Sequence, residues 1–143
     1  MVALISERNT RFRLGDIRVE PVAAAVKIFG GSLIMRNAAG FLTKGATAVG
    51  AIGVGRADAT VDNIAGAAGA LSVEYRTGSF LFTNSAAGDL ITIADIGKPC
   101  FIVDDQTVAK TDATATRSRA GIVDGVENTG VWVRCDEALT RAA

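Results

Sequence analysis

Hydrophobic and polar positions along the chain come in short blocks separated by glycine and polar turns. Val22–Phe29 is apolar and stops at Gly30-Gly31. Ser32–Arg36 (SLIMR) returns as Phe41–Thr43 after Asn37–Gly40 (NAAG), whose Asn and Gly accept the positive φ of a tight hairpin loop. Leu71, Val73 and Tyr75 alternate with Ser72, Glu74 and Arg76, the period of a half-buried strand, and Ser79–Thr83 follows Thr77-Gly78 as a second hairpin. Cys100–Val103 and Thr107–Ala109 flank Asp104-Asp105-Gln106 as a third. Gly121–Val126 and Val131–Arg134 flank Glu127–Gly130 as a fourth. In Ala48–Asp62, Val49, Ala51, Gly53 and Gly55 share one parity, with Ile52 and Val54 on the other. Glycines inside such a run predict a bulge or a close backbone approach. Thr92 caps a single helical turn, Ile93–Ile96, closed by Gly97 and Pro99. About nine short strands at roughly 8–12-residue spacing predict an all-β fold, a small sandwich or barrel.

The two ends differ from this body. Residues 1–20 carry Arg8, Arg11, Arg13 and Arg18 against Glu7, Asp16 and Glu20, with few core-forming positions and no helical period. They read as an extended arm, with a frayed terminus or an edge strand as the other readings. Residues 21–137 form the single β domain. Residues 138–143 form a C-terminal tail, exposed or a helical turn.

Composition sharpens this picture. The chain has 143 residues, enough for one domain that buries about two-thirds of its unfolded surface. Gly (16) and Ala (25) are abundant, Pro is scarce at 2, and 49% of residues are apolar, which is not a disorder signature. Lys+Arg and Asp+Glu are equal at 15 each. Zero net charge argues against a general nucleic-acid binder and gives little repulsion between copies. No histidine is present, which removes the commonest general base and metal ligand. Cys100 and Cys135 are too few for a disulfide framework and read as buried thiols in a reducing compartment. The leading MVALI is too short for a signal peptide, and no run reaches the ~18 apolar residues of a membrane span. Synthesis in the cytoplasm and no membrane partner are expected.

Candidate chemistry is sparse. Gly45-Ala-Thr-Ala-Val-Gly50 has the glycine spacing of a phosphate-binding loop, but Ala51 and Ile52 stand where the lysine and hydroxyl belong. Gly53-Val-Gly55 is a fragment of a dinucleotide fingerprint without its third glycine. Asp104-Asp105 sits in a turn, where aspartate serves the local backbone. Asp58, Asp62 and Asn63 lack the ligand spacing of a calcium loop. The cysteines have no base to activate them, and Lys27 points outward from its strand. Trp132, opposite in parity to Val131 and Val133, is either a core or an interface anchor. A surface platform for glycan or nucleic acid needs exposed rings, for which Tyr75, Phe80, Phe82 and Trp132 are the candidates. No catalytic residue, cofactor or metal site is expected.

Several segments together carry a resemblance: ERNT (Glu7–Thr10), PVAAAVKIFGGSLIMRNAAG (Pro21–Gly40), VDNIAGAAG (Val61–Gly69), TIADIGKPCFIVDDQTVAKT (Thr92–Thr111) and TRSRAGIVDGVENTGVWV (Thr116–Val133). The chain resembles capsid decoration, or cement, proteins of tailed bacteriophages of the Mu-like type. The resemblance implies a β-tulip-like body and a structural role on the outer surface of the virion. It implies a homo-oligomer, a trimer or else a dimer, that binds the major capsid protein and holds the expanded head against DNA pressure. It places capsid binding on the arm, at Arg8, Asn9, Thr10, Arg11, Phe12, Arg13 and Arg18. It implies neither catalysis nor direct nucleic-acid contact. Recombinase-like labels attached to some relatives conflict with the incomplete phosphate loop. A surface-exposed adhesin on the virion is the alternative reading.

Overall fold

A computed structural model describes residues 2–143. Its architecture is all-β, as expected, with one short helix. The order is β1 (Ile17–Pro21), β2 (Val26–Ile28), β3 (Leu33–Arg36), β4 (Leu42–Lys44), β5 (Ile52–Ala57), β6 (Val61–Asn63), β7 (Ser72–Arg76), β8 (Gly78–Asn84), β9 (Pro99–Ile102), β10 (Thr107–Ala109), β11 (Arg119–Glu127), β12 (Gly130–Cys135) and α1 (Glu137–Ala142). Two single 3₁₀ turns, Ala87–Asp89 and Ile93–Asp95, lie between β8 and β9.

These strands build two units fused face to edge. Strands β10-β8-β12-β11-β9 close into a barrel, and β1-β7-β5-β3-β4 form a five-stranded sheet, with β2 and β6 as a small ribbon. The barrel core holds Phe82, Ile91, Cys100, Ile102, Val108, Val123, Val131, Val133 and Cys135. A second core holds Val22, Ile28, Ile34, Leu42, Ile52, Val54, Val73 and Tyr75. Strand β3 serves both. Leu33 and Met35 face the barrel core while Ile34, of opposite parity, faces the second one. Such two-sided burial explains why SLIMR is an unbroken apolar run rather than an alternating one.

The glycine parity in β5 has the predicted physical basis. A Cβ on Gly53 would collide with the Ala120 carbonyl oxygen of β11, and one on Gly55 with the Arg76 carbonyl oxygen of β7. At Gly53 backbone therefore touches backbone where sheet meets barrel, and at Gly55 it does so inside the sheet, between β5 and β7. The register of β3 against β5 skips between Ile34–Gly55 and Met35–Gly53, so the expected bulge is also there.

Three of the four expected hairpins form: β3–β4, β9–β10 and β11–β12. The fourth does not. Strand β7 pairs with β1 and β5, whereas β8 pairs with β12 and β10. At Gly78 (φ +138) the chain passes from sheet to barrel instead of folding back. The number of strands rises from about nine to the twelve given above, chiefly because β1 was read as arm and the single run Ala48–Asp62 holds two strands, β5 and β6. The boundary expected at residue 20 therefore falls at 16, since Ile17–Pro21 is an edge strand. Residues 138–143 are not a free tail either: α1 packs on β5 and β11, Asp136 Oδ1 caps it by accepting from the Leu139 N–H, and Thr140 is buried. The turn after Thr92 is present, closed by a capping box with Asp95.

Fusion through Gly53 makes a direct prediction. Gly53→Ala must push two backbones apart and should cost about 2 kcal/mol or more, whereas Gly88→Ala, with open space at its Cβ, should change stability by less than about 0.5 kcal/mol. Denaturant unfolding of the two variants beside the wild type measures both.

Candidate interaction surface

Residues 2–16 leave the body without regular secondary structure. Its side chains make almost no use of the rest of the molecule: Phe12 and Leu14 are each 83% exposed, and Val2, Leu4 and Ile5 are exposed as well. A lone internal backbone bond runs from the Thr10 N–H to the Arg8 carbonyl at 2.9 Å. Of the arm residues singled out from sequence, Arg8, Asn9, Thr10, Arg11, Phe12 and Arg13 all lie on this exposed segment. Arg18 lies apart, in β1, half-buried opposite Tyr75 of β7.

The segment has a signal that charge counting misses. Arg11 and Arg13 alternate with Phe12 and Leu14, so an extended backbone puts two cations on one face and two apolar groups on the other. This is the pattern of a strand, yet it has no partner strand in the protomer. Gly15, with φ +92, turns the chain between this alternation and β1.

The root of the arm is anchored by charge. Glu20 of β1 meets Arg36 of β3 at 2.6 Å, Arg36 Nε donates to Glu137 of α1 at 2.9 Å, and Arg141 pairs with Glu137 at 2.9 Å. Arg36 also donates to the Gly40 carbonyl. The cluster floors a 280 Å³ cleft that Arg13, Arg18, Tyr75, Thr77 and Asp136 also line. Burial works to lower the Arg36 pKa, but hydrogen bonds to Glu20 and Glu137 outweigh it and hold the guanidinium firmly charged. Burial works to raise Glu137, and its bonds to Arg36 and Arg141 reverse that, leaving its carboxyl below the ordinary range. Desolvation raises the Tyr75 phenol, so it stays neutral beside this cluster.

The remaining candidates are occupied by structural duties. Asp58 accepts from Arg56 (2.9 Å) and Arg76 (3.0 Å), with the Arg56 bond the main reason its carboxyl is held low. The Asp62 carboxylate accepts from the Ile64 N–H, and the buried Asn63 amide donates to the Ala23 and Ala67 carbonyls. Asp104 accepts from the Gln106 N–H within its turn. Gly45 is pressed against the Asp104 carbonyl and its N–H is spent on Leu33, so the Gly45–Ile52 loop presents no phosphate cradle there. Lys27 stands over the Phe29 ring at 5.0 Å. Among the described residues no group of three or more Cys, Asp or Glu is placed to hold a metal ion, and no helix is long and apolar enough to cross a membrane. Cys100 and Cys135 are both buried in the barrel, one on each side of Gly121, and burial pushes the Cys100 thiol up to about 12.

Tyr75 and Phe82 are core residues, and Phe80 lies beneath the Arg56 guanidinium at 4.8 Å. Phe80 is half-buried, and Trp132 is the most exposed of the four aromatic candidates, at 36% exposure, with its Nε1–H donating to Glu127. Compared with protein-family models, with curated proteins and with solved structures, the chain matches none.

Two outcomes are expected from this geometry. Limited trypsin digestion should cut quickly after Arg8, Arg11 and Arg13 and stop short of Arg18, which β7 holds in a strand, leaving a stable body by mass spectrometry. Arg36→Met should cost about 2 kcal/mol at neutral pH, because it strands two half-buried carboxylates. Glu137, lowered in the folded state, contributes stability above the ordinary glutamate pKa of about 4.3 that is lost as pH falls through its folded value. The gap between wild type and Arg36→Met in urea midpoints should therefore narrow on acidification below about pH 4.5.

Proposed function

We propose that this chain is a structural virion protein that fastens to the outer surface of a tailed-phage capsid shell as a homo-oligomer and holds the expanded head against internal DNA pressure. The observation that carries the reading is the segment 2–16, exposed and left without a partner strand by its own body, in which Arg11 and Arg13 alternate with Phe12 and Leu14. An extended segment of this kind gains affinity by adding itself to the edge of another protein's sheet, where backbone hydrogen bonds hold it and alternate side chains select the site. The major capsid protein is the proposed partner, with Arg8, Arg11 and Arg13 meeting acidic groups and Phe12 and Leu14 covering apolar ones. Each exposed pair contributes only ~0–1 kcal/mol, so several arms held in one oligomer supply the strength.

The role is mechanical and involves neither turnover nor cofactor. The site of action is the outside of the head, after synthesis in the host cytoplasm. The adhesin reading needs an aromatic platform, and Trp132 by itself is a weak one.

Binding to purified expanded heads tests the reading. Full-length protein should bind expanded heads and not proheads. Deletion of residues 2–14 should weaken uptake at least tenfold while leaving the body's thermal unfolding unchanged, and Arg8, Arg11 and Arg13 changed together to Ala should make residual binding much less salt-dependent. Uptake of the truncated protein at wild-type affinity would sink the proposal.

A further inference from the structure

Three arginines from separate parts of the chain line one cleft of the body on which no arm residue lies. Arg117, Arg119 of β11 and Arg141 of α1 border a 510 Å³ opening, with the stretch Val49–Ile52 as its wall. Asp112 is the one carboxylate on that lining, and Asp89 and Glu137 pair with Arg117 and Arg141 without lining it. The cations are incompletely satisfied. Arg119 is half-buried and has neither an ion pair nor a side-chain hydrogen bond among the described residues. Arg117 donates from Nη1 to Asp89 and to the Thr111 carbonyl, and its Nε is buried without a partner. Guanidinium groups drawn out of water around one opening are costly unless an anion sits among them.

The wall continues the Gly45–Gly50 stretch, which has the glycine spacing of a phosphate loop and lacks its lysine. Gly45 is closed off, but Gly50, with φ +76, is exposed, and a Cβ there would meet nothing within 4 Å. The wall is fixed in place: the Ser118 hydroxyl accepts from the Ala51 N–H and donates to the Ala48 carbonyl. Part of the rim is held in a costly shape. Ala113, Thr114 and Ala115 are successive left-handed residues, with φ 50, 63 and 60, a conformation that non-glycine residues keep only where their surroundings impose it. The Asp112 carbonyl closes this turn by accepting from both the Thr116 and the Arg117 N–H, which fixes the backbone of Arg117. We infer that the cleft binds an oxyanion, a phosphate or carboxylate group, with Arg119 as its principal donor and Arg117 and Arg141 beside it. The cations absent from the local motif come instead from β11, from the turn before it and from α1, and guanidinium suits a ligand with two or more oxygens.

The site is independent of the arm and of shell binding, and its test needs no heads. The probes are inorganic phosphate and glutarate, each titrated into the full-length, isotope-labelled protein at constant ionic strength while amide shifts are followed by NMR. At least one of them should give saturable shifts centred on Val49–Ile52 and Arg117–Arg119, with millimolar affinity or tighter. The tighter of the two names the source of the anion, a phosphate group or an acidic side chain. Arg119→Gln should weaken binding about fivefold or more, and Arg119→Lys should recover part of that loss. Arg134→Gln, which removes the other body arginine outside an ion pair and lies off the cleft, should leave binding unchanged. If Arg119→Gln fails to fold, the location of the wild-type shifts decides the question. Non-saturating or scattered shifts with both probes, or equal weakening by Arg119→Gln and Arg134→Gln, overturn the site.

Discussion

Two backbones in contact, β5 at Gly53 and β11 at Ala120, determine how the rest of the molecule is built. Without side chains between them, a curved sheet and a closed barrel share one wall. Strand β3 then has a core on each face, and β5 is buried along nearly its whole length. The barrel has no edge by construction. The sheet nearly closes as well, because Val22 and Ala23, which continue β1, bridge to Leu42 of β4. The strand-patterned stretch that stays without any partner strand among the described residues is Arg11–Leu14, at the N-terminal end of the chain.

That position matters mechanically. A pull on the arm acts along β1, whose bonds to β7 run across the pull and share the load together. The Glu20–Arg36–Glu137 cluster adds a lateral tie from β1 through β3 to α1, linking residues far apart in sequence to the strand that carries the arm. Its guanidinium stays charged despite burial, so the tie persists wherever the carboxylates are ionised. A helix of six residues has little stability of its own. Here it holds because Asp136 caps it, Thr140 is buried, and Glu137 is committed to Arg36.

The fold was legible where local chemistry decides it. NAAG, DDQ and ENTG are turns by residue type, and all three close hairpins. The alternating glycines of β5 announced a bulge or a close approach, and the strand has both. Thr77-Gly78 looked like the same chemistry, yet it joins two units, since the partners of β7 and β8 are chosen by distant strands with better apolar faces. Strand β1 was hidden for the opposite reason. Its inward residues are Arg18 and Glu20 and its outward ones Ile17, Val19 and Pro21, so its polarity is inverted relative to an ordinary half-buried strand. That inversion works only because the cleft below is itself ionic. No local signal could have paired Arg36 with Glu137 across 101 residues.

Charge distribution separates what the body keeps from what it offers. Of the seven arginines from Arg36 onward, Arg36, Arg56, Arg76, Arg117 and Arg141 are held in ion pairs, and their carboxylate partners are spent with them. Arg8, Arg11, Arg13 and Arg18 make no ion pair among the described residues. A chain of zero net charge therefore presents a local cationic excess at one end without being a cationic protein. Such a layout suits recognition of a defined acidic and apolar edge, because long-range attraction to any polyanion is cancelled by the body while short-range pairing at the arm is not. Specificity then rests on the spacing of cations and apolar groups along an extended backbone, with no pocket required.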